Sequence, residues 1–267
     1  MRHLIKEWKR ITGEIKDGYL YLFLDFDGTL APIRKHPREV KLGRGIYNVL
    51  KKLAGADNVS VAIISGRKLS EVKRIAGLKG IMYVGNHGLE AAGPGMDFKL
   101  PSAIKAQKTI SVLRRKLRER LRCFKGVLVE DKGLTLSVHY RMADKKNWEK
   151  IARICMTAAE PYRKQRKIRI TAGKKVWEIR PPAAWDKGRM AEKLLNRKKR
   201  ELKRKVIPFC MGDDRTDEDV FRRFKNTGYT VKITKKNREA SMADYYLRNV
   251  REVSFFLREI YSLRRRA

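Results

Sequence analysis

The sequence predicts an α/β protein, a doubly wound parallel sheet interrupted by a smaller α+β insertion, and three observations carry that prediction. Short, unbroken apolar runs at 19–24, 59–64, 81–84, 206–211 and 228–233 are separated by segments of helical periodicity, the alternation that builds a parallel sheet. Two acidic strings, DFDGTL and GDDRTDED, begin where two of those runs stop, which places them at the carboxyl edge of the sheet. Between residues 96 and 182 the strands alternate more openly and the order becomes α-β-β-α-β-β, a small layer of its own.

The N-terminal MRHLIKEWKR mixes charge with Leu4, Ile5 and Trp8, lacks a continuous apolar stretch, and reads as a helix or lead-in, not a signal peptide. The run 19–24 reads as a strand buried on both faces that ends at two carboxylates. A period of two puts Asp25 and Asp27 on one side of the chain and Phe26 on the other, and Gly28-Thr29 permits a sharp turn. Close carboxylates repel unless a cation sits between them or one keeps its proton. Both outcomes suit phosphate chemistry, in which one Asp ligates Mg²⁺ and attacks phosphorus while the other gives a proton to the leaving oxygen. Taken alone, the string also fits an Asx-rich turn after a core strand. A loop through His36-Pro37 leads to Ile46, Val49, Leu50 and Leu53 at helical spacing.

The strand 59–64 ends in Ser65-Gly66-Arg67. A hydroxyl and a glycine before a helix suit a phosphate oxygen, while Ser65 also fits as the N-cap of a helix over 69–76. After the strand 81–84, the glycines of GNHGLE predict a tight turn or close backbone approach beside His87 and Glu90. Gly93-Pro94-Gly95 breaks the chain and marks the first domain boundary.

The insertion opens with a basic helix over 104–121 striped by Ile110, Leu113 and Leu117. A hairpin of 126–130 and 134–141 turns at Asp131-Lys132-Gly133, with Leu134, Leu136 and Val138 on one face and Thr135, Ser137 and His139 on an exposed one. A helix over 148–159 is expected to stop at Pro161, and 167–171 with 175–180 forms a hairpin around Ala172-Gly173. Glu130, Lys132, Arg141, Lys175 and Glu178 lie on or beside these strands. Carboxylates there can accept from sugar hydroxyls and cations can donate, with surface ion pairs as the alternative reading.

Pro181-Pro182 returns the chain to the first domain, and Asp186-Lys187-Gly188 opens a helix whose Lys187 suits the charge of a transferring phosphoryl group. The run RKKRELKRK at 197–205 reads as a solvated connector or helix end. After the strand 206–211, Asp213, Asp214, Asp217 and Glu218 either complete the oxygen coordination of Mg²⁺ or form the acidic first turn of a helix. The strand 228–233, a short element at Tyr245-Tyr246 and a helix over 250–263 close the chain.

At 267 residues and 42% hydrophobic content the chain can bury a sizeable core, and no apolar run approaches bilayer length. The three cysteines form no CxxC pair, so neither a disulfide framework nor a zinc site is suggested and a cytoplasmic location is expected. With 65 Lys and Arg against 29 Asp and Glu the net charge is +36, too large an excess for internal ion pairing. Nonspecific, salt-sensitive adhesion to polyanions is expected, although no nucleic-acid module is present. Residues 96–182 carry 24 Lys and Arg against 8 Asp and Glu, or +16, and are the more cationic part per residue.

DFDGTL at 25–30, ISGR at 64–67, GNHGLE at 85–90, the strand pair from Glu130 to Arg141, KKVWEIRP at 174–181, DKG at 186–188 and GDDRTDED at 212–219 together resemble a family. It is the trehalose-6-phosphate phosphatases of the haloacid-dehalogenase superfamily, and the likeness spans nearly the whole chain. The resemblance implies a Rossmann-like, HAD-like core over 1–95 and 183–267, and a cap over 96–182 that closes over the acidic edge and sets substrate specificity. It implies hydrolysis of a sugar phosphate through an aspartyl-phosphate, with Asp25 as nucleophile and Asp27 as acid and base. Mg²⁺ would be held by Asp25, the backbone carbonyl of Asp27 and Asp213, with Asp214 or Asp217 positioning waters or neighbouring groups. Ser65, Gly66 and Lys187 would bind phosphate, Arg67, Asn86, His87 and Glu90 would face the sugar, and Glu130, Lys132, Arg141, Lys175 and Glu178 would hold the glucose units. Sucrose phosphate or a glycosylated phosphoglycerate is the alternative substrate, and a polyanion-binding protein the alternative of another class. A monomer without membrane attachment is expected.

Overall fold

The computed structural model describes residues 1–34, 36, 39–173, 175–236 and 239–266; Pro37 of the expected loop and Lys174 of KKVWEIRP lie outside them. Before the insertion come β1 (Arg2–His3), α1 (Trp8–Ile15), β2 (Tyr19–Asp25), α2 (Arg44–Ala54), β3 (Val59–Ile64), α3 (Leu69–Ala76), β4 (Met82–Gly85), β5 (Glu90–Gly93) and β6 (Met96–Lys99). The insertion holds α4 (Pro101–Leu121), β7 (Leu128–Asp131), β8 (Leu136–His139), α5 (Trp148–Lys164), β9 (Arg169–Gly173) and β10 (Val176–Arg180). After it come α6 (Lys187–Leu202), β11 (Val206–Gly212), α7 (Glu218–Phe224), β12 (Tyr229–Ile233), β13 (Tyr245–Leu247) and α8 (Val250–Arg266). Two compact units result: Met1–Phe98 with Trp185–Ala267, and Lys99–Ala184.

In the first unit the strands lie in the order β1-β13-β12-β11-β2-β3-β4-β5-β6. All neighbours from β1 to β4 are parallel, and β5 turns back antiparallel on β4. The central β2 is buried because its side chains alternate into two cores. Leu20, Leu22, Leu24 and Phe26 join a cluster with residues of α2, α3 and α8, while Tyr21 and Phe23 join residues of α6 and α7. Asp25 continues the second face. Pairing of Leu24 with Met211 and of Asp25 with Ile64 brings the ends of β2, β3 and β11 level, so DFDG, SGR and GDD share the carboxyl edge.

The second unit is an antiparallel sheet, β7-β8-β10-β9. One face, including Leu136, Val138 and Ile179, packs on Ile110, Leu113 and Leu117 of α4 and Ile151 and Cys155 of α5. The opposite face is polar, but Thr135 and Ser137 on it are buried rather than exposed as expected.

Other elements differ from expectation for local reasons. Helix α5 runs through Pro161 to Lys164, because proline costs the helix one donor and leaves its last turn intact. Ala172 and Gly173 belong to β9, with Gly173 paired to Val176, so the hairpin turns later, where Lys175 has a positive φ. β5 and β6 flank the Gly93-Pro94-Gly95 break; two four-residue strands separated by such a turn leave little periodicity to read. Among the described residues, no helix is long and apolar enough to cross a membrane.

Leu22 is fully buried in the middle of β2, so Leu22→Ala is expected to cost about 2–5 kcal/mol, read by urea denaturation.

Candidate active site

At the carboxyl edge of the first unit, three carboxylates from two segments meet a buried lysine. Asp25 is the last residue of β2, Asp213 follows β11 and Asp217 precedes α7; one carboxylate oxygen of each lies within 4.8 Å of the others. Lys187, the first residue of α6, places Nζ 2.7 Å from Asp25 Oδ1 and 2.8 Å from Asp217 Oδ1. Asp186 caps that helix by accepting from the Arg189 N–H at 2.7 Å, which fixes where Lys187 leaves the backbone.

Burial governs the ionisation of this group. It pushes Asp25 well above the usual carboxylate range, with the neighbouring Asp217 charge adding to the effect and Lys187 opposing it. Asp213 is pushed up to about 7 by burial and then by Asp217, and Asp217 to about 6 by burial, with Lys187 holding it down. Burial alone would lower Lys187, but Asp217 and Asp25 more than offset that and hold it well above its ordinary value. Three hard oxygen donors with more negative charge than one lysine balances fit a hard divalent cation.

The loop carrying Asp213 is built to hold its shape. Asp217 Oδ2 accepts from the N–H groups of Asp213 and Asp214 at 3.0 and 3.1 Å, so Asp217 both faces the cluster and braces its backbone. Asp214 turns instead to its own loop, its Oδ1 accepting from the Thr216 N–H and hydroxyl at 2.8 Å. The buried Lys232 of β12 donates to the Asp214 carbonyl at 3.1 Å and to Glu218 Oε1 at 3.2 Å. Glu218 in turn accepts from the Ser241 hydroxyl and the Met242 N–H, both at 2.8 Å. Gly28, at φ +89°, lies so close to the Asp213 carboxylate that a Cβ would overlap it.

Asp27 is not part of the carboxylate cluster. Arg67 Nε and Nη2 each donate to one of its oxygens at 2.8 Å, and Arg67 Nη1 also bonds Glu71. Arg67, expected to face a sugar, is thus a buried partner of Asp27. Ser65 caps no helix: its Oγ accepts from the Arg67 N–H at 3.1 Å, which leaves the hydroxyl proton available to a ligand. Gly66 lies against the His87 imidazole, where a Cβ would collide with the ring. Asn86 and Glu90 are interior. Glu90 Oε1 accepts from the Leu69 N–H at 2.8 Å and from Asn86 Nδ2 at 2.6 Å, so Glu90, held by Asn86, supplies the cap that α3 lacks.

In the second unit, Glu130, Ser137 and Glu178 lie side by side across β7, β8 and β10. Lys132 Nζ sits 3.7 Å from Glu130 and 3.8 Å from Glu178. His139 Nε2 lies 2.8 Å from Glu130, and Arg180 grips Glu178 Oε2 with Nε at 3.0 Å and Nη2 at 2.6 Å. Ser137 Oγ, buried between the two carboxylates, makes no hydrogen bond among the described residues. Arg141 lies exposed in the turn beyond β8, and Lys175 stands apart, its Nζ 3.7 Å from the centre of the Trp148 ring.

Residues 23–251 match the family model described as trehalose-phosphatase. The chain belongs to the trehalose-phosphatase family. It is 33% identical over 264 residues to "Probable trehalose-phosphate phosphatase D" of Arabidopsis thaliana, covering 95% of this chain and 70% of that one. It is 31% identical over 267 residues to trehalose-phosphate phosphatase B of the same plant, covering 96% and 70%. The fold is that of the C-terminal domain of C. albicans trehalose-6-phosphate phosphatase, with TM-score 0.78, 23% identity and coverage of 98% and 99%.

Of the residues read from sequence, Asp25, Asp213, Asp217 and Lys187 converge in the first unit of this trehalose-phosphatase, and Glu130, Lys132 and Glu178 in the second. His139, Ser137 and Arg180 complete the second group. A period of two from Glu178 points to Arg180, and the same alternation puts Ser137 and His139 on one face of β8. Lys232 carries no such signal, since only parallel pairing of β11 with β12 sets it beside Gly212.

Lys232→Met is expected to weaken divalent-cation binding about 10-fold, as measured by isothermal titration with Mg²⁺, because the Asp214 backbone loses its anchor.

Proposed function

We propose that this protein hydrolyses trehalose 6-phosphate to trehalose and inorganic phosphate, with Mg²⁺ as cofactor. The observation that carries the reading is the buried Asp25–Lys187–Asp217 arrangement beside Asp213 in a chain of the trehalose-phosphatase family. The carboxylates of Asp25 and Asp213, with the Asp27 backbone carbonyl, would hold Mg²⁺, and Asp217 would keep their loop in place. Bound there, the ion supplies positive charge against the phosphoryl oxygens.

In the first step an Asp25 oxygen forms a bond to phosphorus as the phosphorus–sugar oxygen bond breaks. Asp27 delivers a proton to the departing sugar oxygen. Each Asp27 oxygen accepts one bond from Arg67 and keeps a further lone pair, so Arg67 can orient the group without removing its capacity to carry that proton. In the second step Asp27 takes a proton from a water whose oxygen bonds phosphorus, and the phosphorus–Asp25 bond breaks. Lys187 Nζ and the Ser65 hydroxyl donate to phosphoryl oxygens throughout. Burial of Asp25 and Lys187 strengthens each of these interactions.

The polar face of the second unit suits the sugar. Glu130 and Glu178 accept from hydroxyls, while Lys132, His139, Arg180 and the unpartnered Ser137 hydroxyl supply donors. The residues 96–182 then act as the specificity-setting cap and the remainder as the catalytic core. The cytoplasm is the proposed location, since Cys123, Cys155 and Cys210 are all free thiols.

Mg²⁺-dependent phosphate release is measured on trehalose 6-phosphate, sucrose 6-phosphate, glucose 6-phosphate and glycosyl-phosphoglycerates. Preference for trehalose 6-phosphate is expected, and preference for another member would reassign the substrate. Asp25→Asn should lower kcat by on the order of 10³-fold or more. Glu178→Gln should raise KM for trehalose 6-phosphate about 10-fold, the loss of one charge-assisted hydrogen bond.

A further inference from the structure

The first unit has a second polar concavity, at the opposite edge of its sheet from the carboxylates. A groove of about 620 Å³ opens where β11, β12 and β13 begin. Lys205 lies just before β11, Lys225 and Asn226 before β12, and Arg2 on β1. β11 runs seven residues from this edge to Gly212, so at about 3.3 Å per residue the groove lies roughly 20 Å from the acidic cluster. Its volume falls within the range of small-molecule sites.

The groove carries three cationic side chains, Arg2, Lys205 and Lys225, and two carboxylates, Glu14 and Asp244. Both carboxylates are engaged by the protein: Glu14 accepts from the Tyr229 hydroxyl and from Arg10, and Asp244 Oδ2 accepts from the Thr230 hydroxyl at 3.0 Å. The Tyr229 bond holds Glu14 below its ordinary range, so it stays ionised against Arg10. Arg2 Nη1 is paired with Glu7 at 3.3 Å, which leaves the two lysines as the uncommitted cations. Lys205 and Lys225 make no ion pair among the described residues. Tyr245 Oη accepts from Arg2 Nη2 at 3.1 Å and from Arg10 Nη2 at 2.7 Å. An oxygen that accepts twice from guanidinium groups must send its own proton elsewhere, and no described residue takes it.

We propose that this groove binds a small phosphorylated anion at a site separate from the catalytic one. The two lysine ammonium groups and the Tyr245 O–H can together take several phosphoryl oxygens, with the remaining N–H groups of Arg2 beside them. Solvated basic helices such as α4 offer charge without a concavity. The buried Tyr245 hydroxyl lining a concavity distinguishes this site from general adhesion to polyanions.

The probe is inorganic pyrophosphate, titrated calorimetrically into the full-length protein at 0.15 M salt. Lys205→Gln/Lys225→Gln is compared with Lys105→Gln/Lys108→Gln, a pair of exposed α4 lysines of equal charge. The groove variant should lose one binding equivalent per chain, or bind at that site at least 10-fold more weakly, while the control pair matches the unaltered protein. Tyr245→Phe should weaken the same site several-fold, and phosphatase turnover should persist in all three. Equal weakening in both lysine pairs would show charge adhesion only and would overturn the proposal. So would a groove variant that binds as the unaltered protein does.

Discussion

The acidic edge depends on one buried cation shared by two buried carboxylates. Lys187 cannot remain charged at 2% exposure without Asp25 and Asp217, and those two cannot both ionise at their separation without Lys187. The three residues come from a strand end, a helix start and a loop before another helix. Their meeting therefore needs β2 and β11 in parallel register and α6 capped by Asp186. The fold is in this sense the means of bringing one lysine to two aspartates, and removing the lysine leaves buried carboxylates with no cation between them.

Around that centre, the remaining carboxylates divide into those that face the cluster and those that hold it. Asp213 faces it across from Gly28, while Asp214 closes its own turn and Glu218 takes up Lys232. Asp27 belongs to neither group. Its two oxygens rest on Arg67, which joins the end of β2 to α3 through Glu71. The proposed nucleophile and proton carrier are thus two residues apart in sequence but set by different neighbours, one by Lys187 and one by the Arg67 guanidinium. Two carboxylates with separate environments can serve separate roles in one reaction.

Much of this was legible in the sequence because it is written in strand ends. Apolar runs ending in DFDGTL and GDDRTDED point to one edge, and Lys187 stands out by its place in DKG at a helix start. What the sequence does not show is which partner a polar side chain takes inside the protein. Glu90, held by Asn86, caps α3 from a distant loop, Ser65 accepts from Arg67 instead of capping that helix, and Lys175 lies on Trp148. Those partners are fixed by tertiary contact, which spacing does not encode. Pro161 within α5 has the same origin, as packing of Ile151, Cys155, Ala158 and Ala159 outweighs one lost donor.

The central claim is that Asp25 carries the phosphoryl group during turnover. Its most direct test is to mix the enzyme and Mg²⁺ with phosphoryl-labelled trehalose 6-phosphate, quench in acid within the first turnovers, reduce the acyl phosphate with borohydride and map the modified peptide. Label on the protein and homoserine at position 25 are predicted. Full turnover with no labelled protein at any quench time, or modification at Asp27 or Asp213 instead, would contradict the account.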